Sequence, residues 1–435
     1  MKILRLAALF LLAAFPARAE TDIQTITTPG GVTAWLVEDH QIPFTALELR
    51  FQGGTSLDLP GKRGAVNLMT ALIEEGTGDL DSQGFAKARD TLAASFEFDS
   101  DSDSVTVSAR FLTENRDAAV DLLRQAITAP RFDQDAIDRV KGQVLANLRA
   151  SEKDPGDIAN RAFDATAFGD HPYATDGSGT ADSVTALTRD DILAAHKGAM
   201  ARDRVTVAAA GDITPEDLAK VVDTLLAGLP ETGLPQPGAA TIGLKGGITV
   251  QDYPGPQSVI LFGAPGIAFE DPDYFAASVL NEIVGGGRFS ARLMNEVREK
   301  RGLTYGIGTA LAGYDHADLI VGQLSSDNTK TAEAIQVIRD QWAEIAANGV
   351  TPEELEAAKT YMTGAYPLRF DGNGRIASIL VGMQSLGLPA DYPKTRNDRI
   401  NAVTLDDVNR VAKRLMNPDT LTFVVVGQPQ NLPNP

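Results

Sequence analysis

Asp182–Gly211 reads DSVTALTRDDILAAHKGAMARDRVTVAAAG, and Asp398–Gly427 reads DRINAVTLDDVNRVAKRLMNPDTLTFVVVG. The two stretches align without a gap at an offset of 216 residues. Thr188 and Thr404 match, as do the acidic pairs Asp190–Asp191 and Asp406–Asp407, then Lys197 and Lys413, Met200 and Met416, and Gly211 and Gly427. Each threonine stands before an acidic, helix-forming run, the position of an N-cap. Val205–Ala210 and Leu421–Val426 are wholly or almost wholly apolar and end at glycine, so both predict buried strands closed by a turn.

A weaker match extends the repeat. A strand pattern at Val105–Phe111 precedes helices over about Arg116–Ala129 and Asp133–Ser151. A second at Leu319–Leu324 precedes helices near Lys330–Ala347 and Pro352–Tyr366. Short repeats build solenoids, whereas one of this length means that a whole domain was duplicated. The Gly- and Pro-rich stretch Gly228–Gly247 between the copies predicts a linker. The expected organisation is therefore residues 20–227, a linker over 228–247, and residues 248–435. Each half mixes strands with amphipathic helices, and Gln24–Val37 is expected to pair with Phe44–Gln52 as a hairpin-like unit. The expected fold class is α+β, with two homologous domains, each a mainly antiparallel sheet with helices packed on one face. A crevice between them is the expected place for a site.

Residues 1–19 have the pattern of a signal peptide: Lys2 and Arg5, an apolar run over Leu6–Phe15, then Ala17-Arg18-Ala19 at the cleavage point. Ten apolar residues are too few to span a bilayer. The expected location is the periplasm, with cleavage after Ala19. Loss of Lys2, Arg5 and Arg18 takes the formal charge from −19 to −22. Such a surface repels nucleic acid and anionic membranes, and no later stretch predicts a membrane span. Without cysteine the chain has neither disulfides nor thiolate ligands.

Catalytic motifs are sparse. The four histidines, His40, His171, His196 and His316, form neither H-x-x-E-H nor H-E-x-x-H, and read as surface or structural residues. No G-x-S-x-G elbow or phosphate-binding loop is present. Gly285, Gly286 and Gly287 suggest a tight or mobile loop entering a helix, with a weak signal for substrate or anion contact. After them, FSARLMNEVREKRGLTY (Phe289–Tyr305) has a helical stripe at Leu293, Met294 and Val297, a stop at Gly302, and an expected strand over Leu303–Ile307. That places Tyr305 just past a helix and near Arg298.

The segment GGGRFSARLMNEVREKRGLTYGIG resembles the C-terminal-domain signature of the pitrilysin/insulinase family, the inverted zincins. The resemblance covers essentially the whole mature chain, including Asp-Pro and His-Pro-Tyr segments near Asp154–Tyr173. It implies two homologous domains facing each other as a clamshell. Active members carry H-x-x-E-H on a helix, then Gly-Thr, and a downstream glutamate; these hold zinc and activate its water. The matching stretch here is GAVNLMTALIEEGT (Gly64–Thr77). Asn67 stands at the first histidine, Thr70 at the general base, Ala71 at the second histidine and Asn147 at the downstream glutamate. Glu74 and Glu75 lie nearby without histidines beside them.

The family's second domain lends an arginine and a tyrosine to the substrate at the zinc, and their counterparts here are Arg298 and Tyr305. The resemblance implies a catalytically incomplete subunit that binds no metal itself. Its partner would be a homologous zinc-bearing chain in a heterodimer acting on unfolded peptides. The tyrosine would donate to the oxyanion, and the arginine would hold substrate carbonyls or a carboxylate. The rival readings are a non-enzymatic structural or peptide-binding member and an autonomous zinc peptidase. The acidic surface suggests a preference for basic peptides.

Overall fold

The computed structural model describes residues 22–432, so the expected signal peptide lies outside the described residues. The first half contributes β1 (Gln24–Thr27), β2 (Thr33–Glu38), β3 (Phe44–Gln52), a two-residue ladder of β4 (Gly76–Thr77) with β5 (Leu80–Asp81), β6 (Ser95–Ser100), β7 (Ser104–Leu112) and β8 (Val205–Gly211). Its helices are α1 (Ala65–Leu72), α2 (Ser82–Thr91), α3 (Arg116–Thr128), α4 (Gln134–Ser151), α5 (Pro155–Phe168), α6 (Ala181–Ala186), α7 (Arg189–Ala199) and α8 (Pro215–Leu226). The second half contributes β9 (Gly247–Asp252), β10 (Gln257–Pro265), β11 (Ile307–Tyr314), β12 (Ala317–Asp327) and β13 (Thr422–Gly427). Its helices are α9 (Tyr274–Gly285), α10 (Thr331–Asn348), α11 (Pro352–Ala365), α12 (Asn373–Ser385), α13 (Tyr392–Ala402) and α14 (Leu405–Leu415).

The duplication holds at the level of strand order. The first sheet runs β1-β2-β8-β3-β7-β6, and the second, read from its other end, runs β9-β13-β10-β12-β11. In each sheet one pair is parallel, β2 with β8 and β13 with β9, and the remaining pairs are antiparallel. Thr188 and Thr404 both close capping boxes, with Asp191 and Asp407, at the starts of α7 and α14.

The expected pairing of Gln24–Val37 with Phe44–Gln52 does not form. The first stretch folds on itself as the β1–β2 hairpin, and β8 inserts between β2 and β3. The most apolar strand takes the centre, where both its neighbours shield it.

The almost wholly apolar character of β8 and β13 has a further cause. Alternate residues on each strand face opposite sides. Val207 and Ala209 join the first half's core, whereas Ala208 packs with Trp35, Leu380 and Met383 of α12. Phe423 and Val425 join the second half's core, whereas Val424 and Val426 pack with Ala159, Phe163 and Ala167 of α5. Each half thus covers one face of its sheet with its own helices and sends one helix across to the other half's sheet. The 216-residue offset maps α5 onto residues 371–384, so α5 and α12 are equivalent helices exchanged between halves. Phe163 crosses onto Gly263 of β10, where a Cβ would come within 2.6 Å of its ring.

Residues 228–246 hold no helix or strand. They are bonded to both halves: Gly243 donates to Ala167 O and Ala240 to His316 O, each at 2.8 Å. Among the described residues no helix is long and apolar enough to cross a membrane.

Candidate functional site

A cavity of about 1780 Å³ opens between the halves. It is lined mainly by β10, β11, β12, α9 and α12, with Arg50, Asp103 and α5 contributed by the first half. The edge strand β11 lines it almost from end to end and pairs only with β12 among the described residues.

The segment that enters β11 is built differently from the expectation. Leu293, Met294 and Val297 are buried as the stripe predicts. The helical stretch Met294–Glu299, however, is wound as a π-helix, and Lys300 N–H reaches Asn295 O at 2.9 Å. Such wide turns are frequent at functional sites. Gly302 (φ +59°) ends it, its N–H on Arg298 O at 2.8 Å and the Leu303 N–H on Val297 O at 3.0 Å. The expected strand over Leu303–Ile307 starts only at Ile307. Thr304 holds the intervening loop by donating to Ser325 O on β12 at 2.7 Å, and its oxygen accepts the Gly306 N–H at 3.2 Å.

That anchoring leaves Tyr305 projecting from the cavity wall, 88% exposed and with no hydrogen-bond partner among the described residues. Arg298 lies elsewhere. It pairs with Glu299 at 2.9 Å, its guanidinium covers the ring of Phe289 at 4.6 Å, and it is absent from the cavity lining. The structure brings Tyr305 to the cavity without placing Arg298 there.

Gly285, Gly286 and Gly287 all line the cavity, but they close α9 instead of opening a helix. Gly285 lets the helix end lie against β11, since a Cβ there would meet Thr309 Oγ1 at 2.4 Å.

The positions that resemblance assigns to zinc ligation sit apart from the cavity, on α1 and α4. Asn67 is half-buried and Ala71 exposed. Thr70 is buried, its hydroxyl spent on Val66 O at 2.9 Å, and Asn147 is exposed. An alanine has no donor atom and an amide is a poor zinc ligand, so this set does not fit a zinc ion. Glu74 pairs with Arg89 at 2.6 Å and Glu75 with Arg139 at 2.9 Å, so neither carboxylate is uncommitted. Among the described residues no group of three or more His, Cys, Asp or Glu is placed to hold a metal. Three of the four histidines have hydrogen-bond partners: His196 is buried with Nε2 on Ile127 O at 2.8 Å, His171 bonds Gly238 O at 3.0 Å, and His40 bonds Asp212 at 2.6 Å; His316 packs against the rings of His171 and Tyr173.

Two features of the cavity escaped sequence reading. Where α5 meets the β11–β12 turn, Tyr173 donates a short hydrogen bond to Asp103, and Asp103 accepts the Asp315 N–H at 3.2 Å. Burial pushes Asp103 above the usual carboxylate range, and nearby Asp164 is pushed up to about 6 by burial and by the charge of Asp176. Across the cavity stand Arg369, Arg375 and Arg396. A periodicity search scores apolar stripes, so charged residues that meet only after the halves interlock carry no signal in it.

Comparison with known proteins adds the following. The model for insulinase (peptidase family M16) matches residues 33–180, and that for the peptidase M16 inactive domain matches residues 186–362. The chain is similar to a protein of Helicobacter pylori named non-peptidase homolog YmxG, 27% identical over 89% of this chain and 90% of the relative. It is also similar to a protein of Streptomyces coelicolor named as an uncharacterized zinc protease, 25% identical over 91% of this chain and 87% of the relative. Among solved structures, a peptidase M16 inactive domain from Pseudomonas fluorescens superposes with a TM-score of 0.88 at 29% identity, covering 95% of this chain and 99% of that one.

Proposed function

From a chain that belongs to peptidase family M16 in both halves, and whose own ligand positions do not fit zinc, we propose a subunit that completes another chain's active site. In this reading its partner is a homologous M16 chain carrying H-x-x-E-H and zinc, and the substrates are unfolded peptides. Tyr305 donates its phenol to the peptide carbonyl oxygen as negative charge develops there. Arg298 swings from Glu299 to hold a substrate carbonyl or carboxylate. The edge strand β11 offers unpaired backbone groups along the cavity. Once residues 1–19 are removed, the chain works in the periplasm.

The observation that carries this reading is Tyr305. Folding buries tyrosine rings, yet this one is 88% exposed at a cavity wall while the loop beneath it is pinned by Thr304. Folding gives no reason for that arrangement, and contact with a substrate does.

The test is cleavage of a quenched fluorescent peptide by each chain alone and by the mixture. The expected result is activity in the mixture alone, removed by a chelator. Chelator-sensitive activity of this chain by itself would mean a metal site built from other residues. A stable complex without activity would favour a second reading, a non-enzymatic peptide-holding or structural member. That reading draws support from the name of the Helicobacter pylori relative and from the position of Arg298 outside the cavity.

A further inference from the structure

We infer that Arg369, Arg375 and Arg396 form a subsite that recognises a carboxylate of the bound peptide. The inference rests on the peptide-binding reading above and names the chemistry of its ligand.

The chain has 58 acidic residues against 39 basic ones, and many of its arginines find carboxylates. Arg410 takes both Asp273 and Asp407, at 2.6 and 2.8 Å. Arg292 grips Glu354 with two bonds at 2.6 and 2.7 Å, and Arg414 takes Asp271 at 2.7 Å. Among the described residues, Arg369, Arg375 and Arg396 have no carboxylate within salt-bridge distance. Other described arginines also lack an ion pair; these three do so on the lining of one cavity.

Arg396 is held in place for recognition. It donates to Met362 O and to Asn397 Oδ1, each at 3.1 Å, and its plane covers the ring of Tyr366 at 4.3 Å. Such a guanidinium has lost little freedom still to lose and keeps N–H groups to offer. Burial lowers its pKa, and the nearby charge of Arg369 lowers it further. Two cations near each other without an anion are unfavourable, and a carboxylate between them relieves both. Arg369 and Arg375 are exposed at the cavity, one on the turn before α12 and the other in its first turn.

The opposite wall is already satisfied. Asp154 caps α5 through the Gly156 and Asp157 N–H groups, Asp103 accepts from Tyr173, and Asp315 accepts from Gln52 at 2.7 Å. Asp164 has no donor, but Asp176 and burial disfavour its charge. Net charge alone suggests basic peptides; the side chains facing the cavity point to an acidic group instead.

The experiment uses the full mature chain, alone and with its zinc-bearing partner stripped of metal. The probes are fluorescein-labelled ten-residue peptides, read by anisotropy. One has a free C-terminus, one is amidated, and a second pair exchanges an internal Glu for Gln. The expected result is at least tenfold weaker binding when the recognised carboxylate is removed, with the difference erased in Arg369→Gln/Arg375→Gln. Arg396→Lys, which keeps charge and loses the fork, is expected to weaken binding severalfold. Loss on amidation alone identifies the terminal carboxylate, and loss on Glu→Gln alone identifies a side chain; either supports the inference. Equal affinity for all four peptides would overturn it and leave the peptide-binding reading intact. No binding by the chain or the complex would overturn both.

Discussion

Phe163→Ala tests the interlocked halves. Phe163 belongs to the first half, is 3% exposed, and packs into the second half's sheet over Gly263. Losing a buried ring of ~150–200 Å² at ~25 cal/mol per Å² costs about 4 kcal/mol, within the range of about 3–5 kcal/mol for such truncations. At about 2 cal/mol/K of unfolding entropy per residue, a chain of this length loses roughly 4–5 °C in Tm. The chain supplies its own reporters, since it has two tryptophans, one in each half. Trp35 lies on β2 against α12, and Trp342 lies in the core of the second half. Melting is followed by fluorescence in Trp35→Phe and Trp342→Phe backgrounds, with and without Phe163→Ala. Exchange of α5 and α12 predicts that both reporters shift together in one transition. Two separated transitions, with Phe163→Ala moving one of them, would refute the argument that the halves unfold as a unit.

Thr404→Ala removes the α14 capping box and is expected to cost about 1 kcal/mol, read by chemical denaturation; Thr188→Ala should cost a similar amount at α7. Asp164, pushed up to about 6, has a folded pKa above its unfolded one. Its contribution to stability is therefore full below the unfolded value and lost as pH rises from about 4 through about 6. Asp164→Asn should stabilise the chain at pH 7 by on the order of 2 kcal/mol, read by chemical denaturation, and flatten that part of the pH profile. Chelator treatment of the isolated chain should leave its melting temperature unchanged; a fall of several degrees would reveal a structural metal.

The duplication was legible because threonine caps, acidic first turns and apolar strands are local signals, and all recur at one offset. What stayed hidden depends on contacts between the copies. The almost wholly apolar runs at β8 and β13 announced burial, but which helix covers the second face is a long-range choice. The hairpin misreading has the same origin: Gln24–Val37 and Phe44–Gln52 are sequence neighbours, yet β8, which starts 153 residues after Gln52, fits better between them. At the site, the apolar stripe at Leu293, Met294 and Val297 foretold the buried face, whereas the π-turn beneath Arg298 has no signature in spacing. Once the resemblance assigns the metal positions, residue identity suffices at Ala71, because alanine has no ligating atom in any geometry.

The most direct test of the account is the turnover of the two-chain mixture with Tyr305→Phe in this subunit. The hydroxyl is exposed and has no hydrogen bond among the described residues, so the variant should fold and bind its partner as the wild type does. If Tyr305 donates to the developing oxyanion, kcat falls by about 10²–10³ while KM and the complex's Kd hold. Undiminished turnover would contradict the account, and the exposed tyrosine would then have no part in the partner's chemistry.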